Sequence, residues 1–133
     1  MSIELLRIST PYVETQWPRV RPMVKRAMSR ADAGDFERTE RELFEGLQQL
    51  WLAWNGTSIE AIAVTQLTTI GDKKYCVIVA CSGSKWRFLQ FLYDLEQFAK
   101  DEGCKAMRIN GRKGWQRVLD DYKVKHVVFD KEL

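Results

Sequence analysis

Residues 75–84 read YCVIVACSGS, and this stretch decides the fold. The nearly unbroken apolar run from Tyr75 to Cys81 is typical of a central strand that is covered on both faces. Ser82-Gly83-Ser84 predicts a short loop that caps a helix. From Lys85 to Glu102 apolar residues recur every three or four positions, which predicts a long helix with one buried stripe. That stripe is expected to hold Phe88, Phe91, Leu92, Leu95, Phe98 and Ala99.

The sequence downstream of this helix predicts a strand, a helix and a second strand. Gly103 stands where a left-handed helix cap belongs. Ala106–Ile109 is predicted as a short strand, and Gly111–Gly114 as a loop. Trp115–Tyr122 has the spacing of a short helix, and Val124–Phe129 is predicted to close the chain as a strand.

The sequence upstream predicts a strand, two helices and an antiparallel pair of strands. Pro18 and Pro22 predict that the first helix is kinked or split. Asn55-Gly56 is the strongest short signal for a hairpin turn. The predicted elements are the strand Glu4–Ile8, the helices Tyr12–Arg30 and Phe36–Gly46, and the strands Gln49–Trp54 and Ile59–Leu67.

Together these elements give the order β-α-α-β-β-β-α-β-α-β in one α/β domain that spans residues 1–133. A chain of this length is the size of a single domain. An antiparallel meander followed by right-handed βαβ steps is consistent with a mixed (α+β) sheet that carries helices on both faces.

The composition argues against several kinds of protein. Cys76, Cys81 and Cys104 are an odd number without regular spacing, which disfavours a disulfide framework. The single histidine, His126, is too few for a zinc site, so no metal is expected. The net charge of +3 does not by itself indicate a nucleic-acid partner. No apolar run is long enough to span a membrane and the N-terminus lacks the apolar core of a signal peptide, so we expect a cytoplasmic protein.

The element order, and above all the stretch from Tyr75 to Leu133, resembles the GNAT (acyl-CoA N-acyltransferase) fold. The resemblance covers nearly the whole chain and implies acetyl-CoA as the cofactor of an active member. The pattern is also similar to degenerate small domains of tailed bacteriophages, including an internal virion protein of podoviruses. That second resemblance implies a phage or prophage origin and a virion as the alternative location.

The loop after the central strand departs from the family pattern. Active members carry Arg/Gln-x-x-Gly-x-Gly/Ala there, and the backbone N–H groups of that motif bind the coenzyme A pyrophosphate. Here residues 81–86 read CSGSKW, without the leading Arg or Gln and without both small residues in either register. Positive charge and the helix N-terminus remain, so weak anion or coenzyme A binding is expected at Gly83, Ser84, Lys85 and Arg112.

The resemblance assigns no catalytic residue with the expected chemistry. Family members often use a Tyr of the last helix as general acid, but here Val118 or Leu119 takes that position and Tyr122 is expected in the core. Glu60 lies on a strand, where alternation leaves it open whether it faces a site or solvent. His126 is expected to be structural or exposed.

Two basic clusters suggest a surface for nucleic acid or for an acidic protein. The first lies on the first helix, which the following acidic helix can neutralise through salt bridges. The second has a glycine-flanked basic pair beside Trp115, where a phosphate or a base could bind. Trp51 and Trp54 point to opposite faces of one strand, so one of them is a candidate for an interface. The two clusters are Arg19, Arg21, Lys25, Arg26 and Arg30, and Arg108, Arg112, Lys113 and Arg117.

Three functions therefore remain open from the sequence. The leading hypothesis is a non-catalytic GNAT-fold protein that binds no cofactor and acts through protein partners or as a homo-oligomer, as a phage virion or assembly component. The first alternative is a divergent acetyl-CoA-dependent N-acyltransferase. The second alternative is a nucleic-acid-associated module that uses Arg108, Arg112, Lys113 and Arg117.

Overall fold

A computed structural model describes residues 3–31, 34–83, 85–110, 115, 117, 119–125, 127 and 129–133. Three helices and five strands lie in these ranges, in the order β1, α1, α2, β2, β3, β4, α3, β5. The strands are β1 (Glu4–Ile8), β2 (Gln49–Trp54), β3 (Ile59–Ile70), β4 (Lys73–Cys81) and β5 (Ala106–Ile109). The helices are α1 (Thr10–Ala31), α2 (Phe36–Glu45) and α3 (Lys85–Asp101).

The five strands form one mixed sheet in the order β1-β2-β3-β4-β5. The first four are antiparallel to their neighbours, whereas β5 pairs with β4 in parallel after the α3 crossover. The mixed sheet confirms the predicted fold class. No helix among the described residues has the length and apolar character needed to cross a membrane.

Helices α1 and α2 cover one face of the sheet and are joined by aromatic and polar contacts. Trp17 stacks on Phe36 with ring centroids 6.2 Å apart, and its indole Nε1 donates to the Glu40 carboxylate. Arg21 donates to the same carboxylate at 2.8 Å. These two hydrogen bonds hold the pKa of Glu40 below its usual value. The predicted pairing of the basic first helix with the acidic second one is confirmed at this contact.

The first helix is continuous, although the sequence contains two prolines within it. Pro18 and Pro22 both lie on the exposed side of α1, and the secondary structure runs unbroken from Thr10 to Ala31. The buried side, which includes Val13, Val20 and Val24, anchors the helix on the sheet. Of the two predicted alternatives the split was therefore wrong, because packing of this apolar stripe outweighs the two lost backbone hydrogen bonds, and the kink stays a prediction.

Two apolar clusters fill the space on either side of the sheet. Leu50, Ile62 and Val64 point toward α1 and α2. On the other face Trp51 packs edge-on against Phe98 of α3, with ring centroids 4.9 Å apart. Trp54 is half-buried, so both tryptophans of β2 contribute to the fold.

The C-terminal segment is described only in part. Trp115, Leu119 and Tyr122 pack against the cluster beneath α3. Backbone hydrogen bonds run from Leu119 N–H to the Trp115 carbonyl and from Tyr122 N–H to the Leu119 carbonyl. Residues 119–122 lie in no helix, and residues 116 and 118 of the predicted helix lie outside the described residues. The described residues between 124 and 129 lie in no strand, and Val124, Val127 and Phe129 are exposed. Alternating apolar residues do not make a strand without a paired neighbour; His126 lies outside the described residues.

Tyr122 is a core residue, as predicted. It is half-buried, and its hydroxyl donates to the Glu96 carboxylate of α3 at 2.6 Å. Burial, followed by the hydrogen bond to Glu96, raises the pKa of Tyr122 far above its ordinary value of 10.0. The phenol therefore fastens the C-terminal segment to α3 and stays protonated.

Replacing Gly46 is expected to destabilise the protein by about 1–2 kcal/mol, since a side chain there meets two penalties. Gly46 ends α2 at φ +81°, and a Cβ on it would lie 3.1 Å from Thr10 Oγ1. Gly103→Ala is the matched control, because Gly103 has φ +80° and nothing within 4 Å of a Cβ. Urea unfolding should show a larger decrease in the free energy of unfolding for Gly46→Ala than for Gly103→Ala. Equal decreases would show that the contact with Thr10 adds no cost to that of the backbone conformation.

Tyr122→Phe is expected to lower the free energy of unfolding by about 1–2 kcal/mol at pH 7 through loss of the hydrogen bond to Glu96. The folded-state pKa is raised, so the Tyr122 contribution is complete below pH 10 and declines as the unfolded chain ionises above it. Urea titrations should therefore show that the two proteins differ less in their free energy of unfolding at pH 10.5 than at pH 7. Tyr93→Phe, at an exposed position, is the control and should change neither value.

Candidate functional site

The parallel pairing of β4 and β5 ends before β4 does. The two strands are in register from Tyr75 with Ala106 to Ile78 with Ile109. β4 continues for three more residues to Cys81, whereas β5 ends at Ile109. Within the described part of the chain, Val79 and Ala80 have no strand partner on the side of β4 that faces away from β3. We call this unpaired stretch of β4, directly after Ile78, the gap.

A β-bulge lies at the start of this gap. Val64 pairs with Ala80 and Thr65 with Ile78, so Val79 has no partner of its own on β3. Val79 and Ala80 consequently both pack toward α1, and Ile78 and Cys81 pack toward α3. A bulge of this kind turns the strand and frees a backbone position, and bulges are common beside active sites.

The polar core next to the bulge fixes its position. Thr65 is fully buried on β3, and its hydroxyl donates to Gln49 Oε1 at 2.8 Å. The same hydroxyl accepts a hydrogen bond from Trp51 Nε1 at 3.0 Å. This chain of bonds joins β2 to β3 at the residue opposite Ile78, so the register on the paired side of the bulge is strongly specified.

A connection of three residues leads from β4 to α3. Ser82 N–H donates to the Ile62 carbonyl at 2.9 Å, and Ile62 N–H donates to Ser82 Oγ at 3.4 Å. Ser82 thus extends the contact with β3 and holds the start of the connection away from β5. α3 begins at Lys85, so its unsatisfied N–H groups and positive dipole end lie at the same edge of the sheet as the gap.

Two of the four predicted binding residues are described, and both lie at this edge of the sheet. Gly83 is exposed in the connection with φ +122°, a backbone conformation that side chains other than glycine rarely adopt. Lys85 is the first residue of α3. Ser84 and Arg112 lie outside the described residues. The structure therefore brings Gly83 and Lys85 together beside the gap.

Neither candidate for acid–base chemistry lies beside the bulge. Glu60 is half-buried in a second bulge, opposite Ala53 and Trp54, and its Oε1 accepts from Asn55 Nδ2 at 2.9 Å. It lies four residues along β3 from Val64, which is about 13 Å. Tyr122 is bonded to Glu96 on the α3 side. The residues of β3 and β5 nearest to Val79 carry no carboxylate. A ligand beside Val79 would therefore contact backbone groups and no acidic side chain of these strands.

The second basic cluster is only partly described. Arg108 is half-buried on β5, with its guanidinium 4.8 Å from the Tyr75 ring centroid, and Arg117 is exposed. Arg112 and Lys113 lie outside the described residues. Among the residues that the structure does describe, no group of three His, Cys, Asp or Glu side chains could hold a metal ion.

Sequence reasoning missed the two features that shape the site. The bulge at Val79 falls inside a uniform apolar run, where neither alternation nor a glycine signals it. β5 ends early because its pairing with β4 stops at Ile109. The sequence of a single strand does not show where pairing with a second strand will stop. The change from apolar to polar residues after Ile109 is the only local signal.

Comparison with solved structures agrees with this geometry. A GNAT family acetyltransferase of Staphylococcus aureus matches with a TM-score of 0.64 at 17% identity, covering 100% of both chains. A Clostridium acetobutylicum protein solved with acetyl-CoA, described as a predicted acetyltransferase, matches at 0.64 and 12% identity over 99% of this chain and 96% of that one. The aminoglycoside acetyltransferase AAC(6')-Iy, solved with a coenzyme A bisubstrate analogue, matches at 0.71 and 10% identity over 100% and 99%.

Comparison of sequences adds no closer relative. Protein-family models give no match, and the sequences of curated proteins give no significant one. Identities of 10–17% over essentially complete chains establish shared architecture rather than shared chemistry. The chain has the GNAT acetyltransferase fold.

Proposed function

We propose that this protein is an acyl-CoA-dependent N-acyltransferase. The observation that carries the proposal is the gap that opens between β4 and β5 beyond Ile78 and Ile109, with the Val79 bulge at its closed end. The N-terminus of α3 lies at its open end. Acetyltransferases with this architecture, among them proteins solved with acetyl-CoA or coenzyme A, support the same reading.

The backbone of the gap suits the pantetheine arm of coenzyme A. That arm is extended and carries two amides, which need hydrogen-bond partners when they leave water. Val79 and Ala80 offer backbone N–H and C=O groups on the side where, among the described residues, β5 does not pair with them. The arm would take the place of a strand beside β4, in the manner of peptides that add to a sheet edge.

The open end of the gap suits the diphosphate. The first N–H groups of α3 and its dipole favour an anion, and Lys85 is the first residue of the helix. Gly83 has no side chain to keep a phosphate from the backbone. The connection lacks the leading Arg or Gln of the family motif, so we expect weaker diphosphate binding than that motif provides.

The reaction requires little of the protein beyond orientation and polarisation. A bound acyl-CoA supplies an activated thioester. A backbone N–H at the Val79 bulge would donate to the thioester oxygen as negative charge develops there. The acceptor ammonium first gives one proton to water, and the neutral amine then attacks the thioester carbon. The N–C bond forms as the C–S bond breaks, and the nitrogen gives a second proton to the departing thiolate, which leaves as the free thiol of coenzyme A.

The non-catalytic role and a phage origin remain hypotheses from the sequence. No comparison supports either of them, whereas the acyltransferase alternative accounts for both the gap and the neighbours. A purely structural role would leave the gap without a ligand. Binding of acetyl-CoA separates the two directly.

Lys85→Glu is expected to weaken acetyl-CoA binding at least about fivefold in calorimetric titration, because it reverses a charge beside the diphosphate. The same change places an acid in the first turn of α3 and should not lower the melting temperature. Lys100→Glu is the matched control: it gives the same net charge in the last turn of α3, about 22 Å away along the helix.

Three outcomes distinguish the readings. Selective loss in Lys85→Glu supports binding at the N-terminus of α3. Equal loss in both variants would show that only net charge matters. Absence of heat at millimolar acetyl-CoA with the unaltered protein would reject the acyltransferase.

A further inference from the structure

We propose that Arg108, held over the ring of Tyr75, selects an acceptor amine that also carries a carboxylate. The inference rests on the proposed acyl transfer. It concerns the face of β4 and β5 opposite α3, where Arg108, Tyr75 and Lys73 lie together. The backbone groups of the gap do not indicate which amine accepts the acyl group. We therefore infer the chemical class of the acceptor from these three side chains.

The three side chains form a preorganised cationic group. The Arg108 guanidinium carbon lies 4.8 Å from the centroid of the Tyr75 ring, and Lys73 Nζ lies 5.7 Å from the same centroid. Attraction between a cation and the ring face holds each side chain in place without neutralising it. A planar guanidinium fixed in this way presents paired N–H donors that match a carboxylate.

Arg108 is half-buried yet has no carboxylate partner within salt-bridge distance among the described residues. Charges removed from water are usually paired, because desolvation is otherwise unfavourable. The sequence that follows β5, from Asn110 to Leu119, contains no acid. An anionic ligand would supply the missing partner.

The position of Arg108 relative to the gap fixes the size of the acceptor. Arg108 pairs with Val77, two residues before the bulge at Val79. Two residues of a strand span about 7 Å, and the guanidinium extends toward Tyr75, another two residues away. The anion would therefore lie roughly 7–13 Å from an amine that reacts beside Val79.

Arg108 lies on the face of the sheet opposite α3, which α1 and α2 cover over β2, β3 and the end of β4. Arg108 and Tyr75 are half-buried and Lys73 is exposed, so these side chains can be reached from solvent. α3 and the C-terminal segment cover the other face, where Met107 and Ile109 pack. Arg108 and Ala106 alternate to the other side. An amine that approaches on this side would lie across the sheet from α3, with its carboxylate on Arg108 and its nitrogen toward the thioester. The bonds made and broken are those of the proposed acyl transfer, and the carboxylate takes no part in them.

The decisive experiment compares acids with their amides as acceptors. Glycine and ω-amino carboxylates of increasing length are each assayed beside the matching carboxamide, with acetyl-CoA as donor. We expect kcat/KM to favour the acid about tenfold or more for chains that span the distance, which is the scale of a charge-assisted hydrogen bond, and to show no preference for glycine. Arg108→Met should abolish the preference, and Arg108→Lys should restore part of it.

The controls separate selection from folding and from net charge. Arg19→Met removes an exposed cation of α1 and should leave the preference intact. Binding of acetyl-CoA and the melting temperature should be unchanged in Arg108→Lys. Equal rates for acids and amides, or a preference that survives Arg108→Met, would overturn the proposal even if acetyl-CoA binds.

A measurement without coenzyme A distinguishes failure of this inference from failure of the transferase. N-acetylated 6-aminohexanoate, which resembles a product, should shift the NMR signals of Arg108 Nε–H and the Tyr75 ring, and its amide should not. A shift in a protein that does not bind acetyl-CoA would leave an anion site but overturn its role in acceptor selection. A larger, salt-sensitive shift with a short oligonucleotide would instead assign the surface to nucleic acid.

Discussion

The end of the parallel pairing between β4 and β5 is the constraint on which the candidate site depends. Up to Ile78 and Ile109 the two strands satisfy each other's backbone groups. Beyond that point, within the described residues, Val79 and Ala80 pair with no strand on the β5 side, and Ser82 prolongs the attachment of β4 to β3. This part of β4 is therefore a short strand edge in the described structure. Backbone groups at such an edge need hydrogen-bond partners, since buried backbone groups are seldom left unpaired.

The central elements were predictable because their signals are local. The apolar run from Tyr75, the Asn55-Gly56 turn and the Gly103 cap identify β4, the β2–β3 hairpin and the end of α3. Strand lengths were less predictable: β3 extends to Ile70 and β4 begins at Lys73, beyond the apolar residues. Cross-strand hydrogen bonds carry a hairpin past the point where side-chain burial alone would end it.

The candidate site was predictable only in part, since it depends on relationships between strands. Polar and glycine residues after an apolar strand predicted a connection between β4 and a helix, and the structure has Gly83 in that connection and Lys85 at the start of α3. The bulge at Val79 arises from the register of β4 on β3, and the orientation of Arg108 arises from its ring contact with Tyr75. Arg108 was grouped by sequence with a nucleic-acid surface, because adjacent basic residues do not reveal which of them a sheet holds in place.

Identities of 10–17% to acetyltransferases of the same architecture show how few residues this fold requires. Here small side chains, Ala53, Ala61 and Ala63, let Trp51 and Phe98 meet between the sheet and α3. The packing of Trp51 against Phe98 requires these side chains to be small. The strand edge of β4 consists of backbone groups, so any sequence that keeps the same strand register can form it. The side chains around the candidate site can therefore diverge while the strand edge persists.

Cys76 gives the paired part of β4 and β5 a built-in chemical reporter. Its thiol is fully buried opposite Met107, and burial raises its pKa to about 12. Alkylating reagents attack the thiolate, so the folded protein shields this sulfur both by access and by protonation. Cys76 lies on the same face of β4 as Ile78, which packs toward α3. In a chain whose Cys81 and Cys104 are replaced by serine, the alkylation rate would follow the fraction of molecules in which this face of β4 has become accessible. The opening of the layer over β4 can thus be timed without any added label.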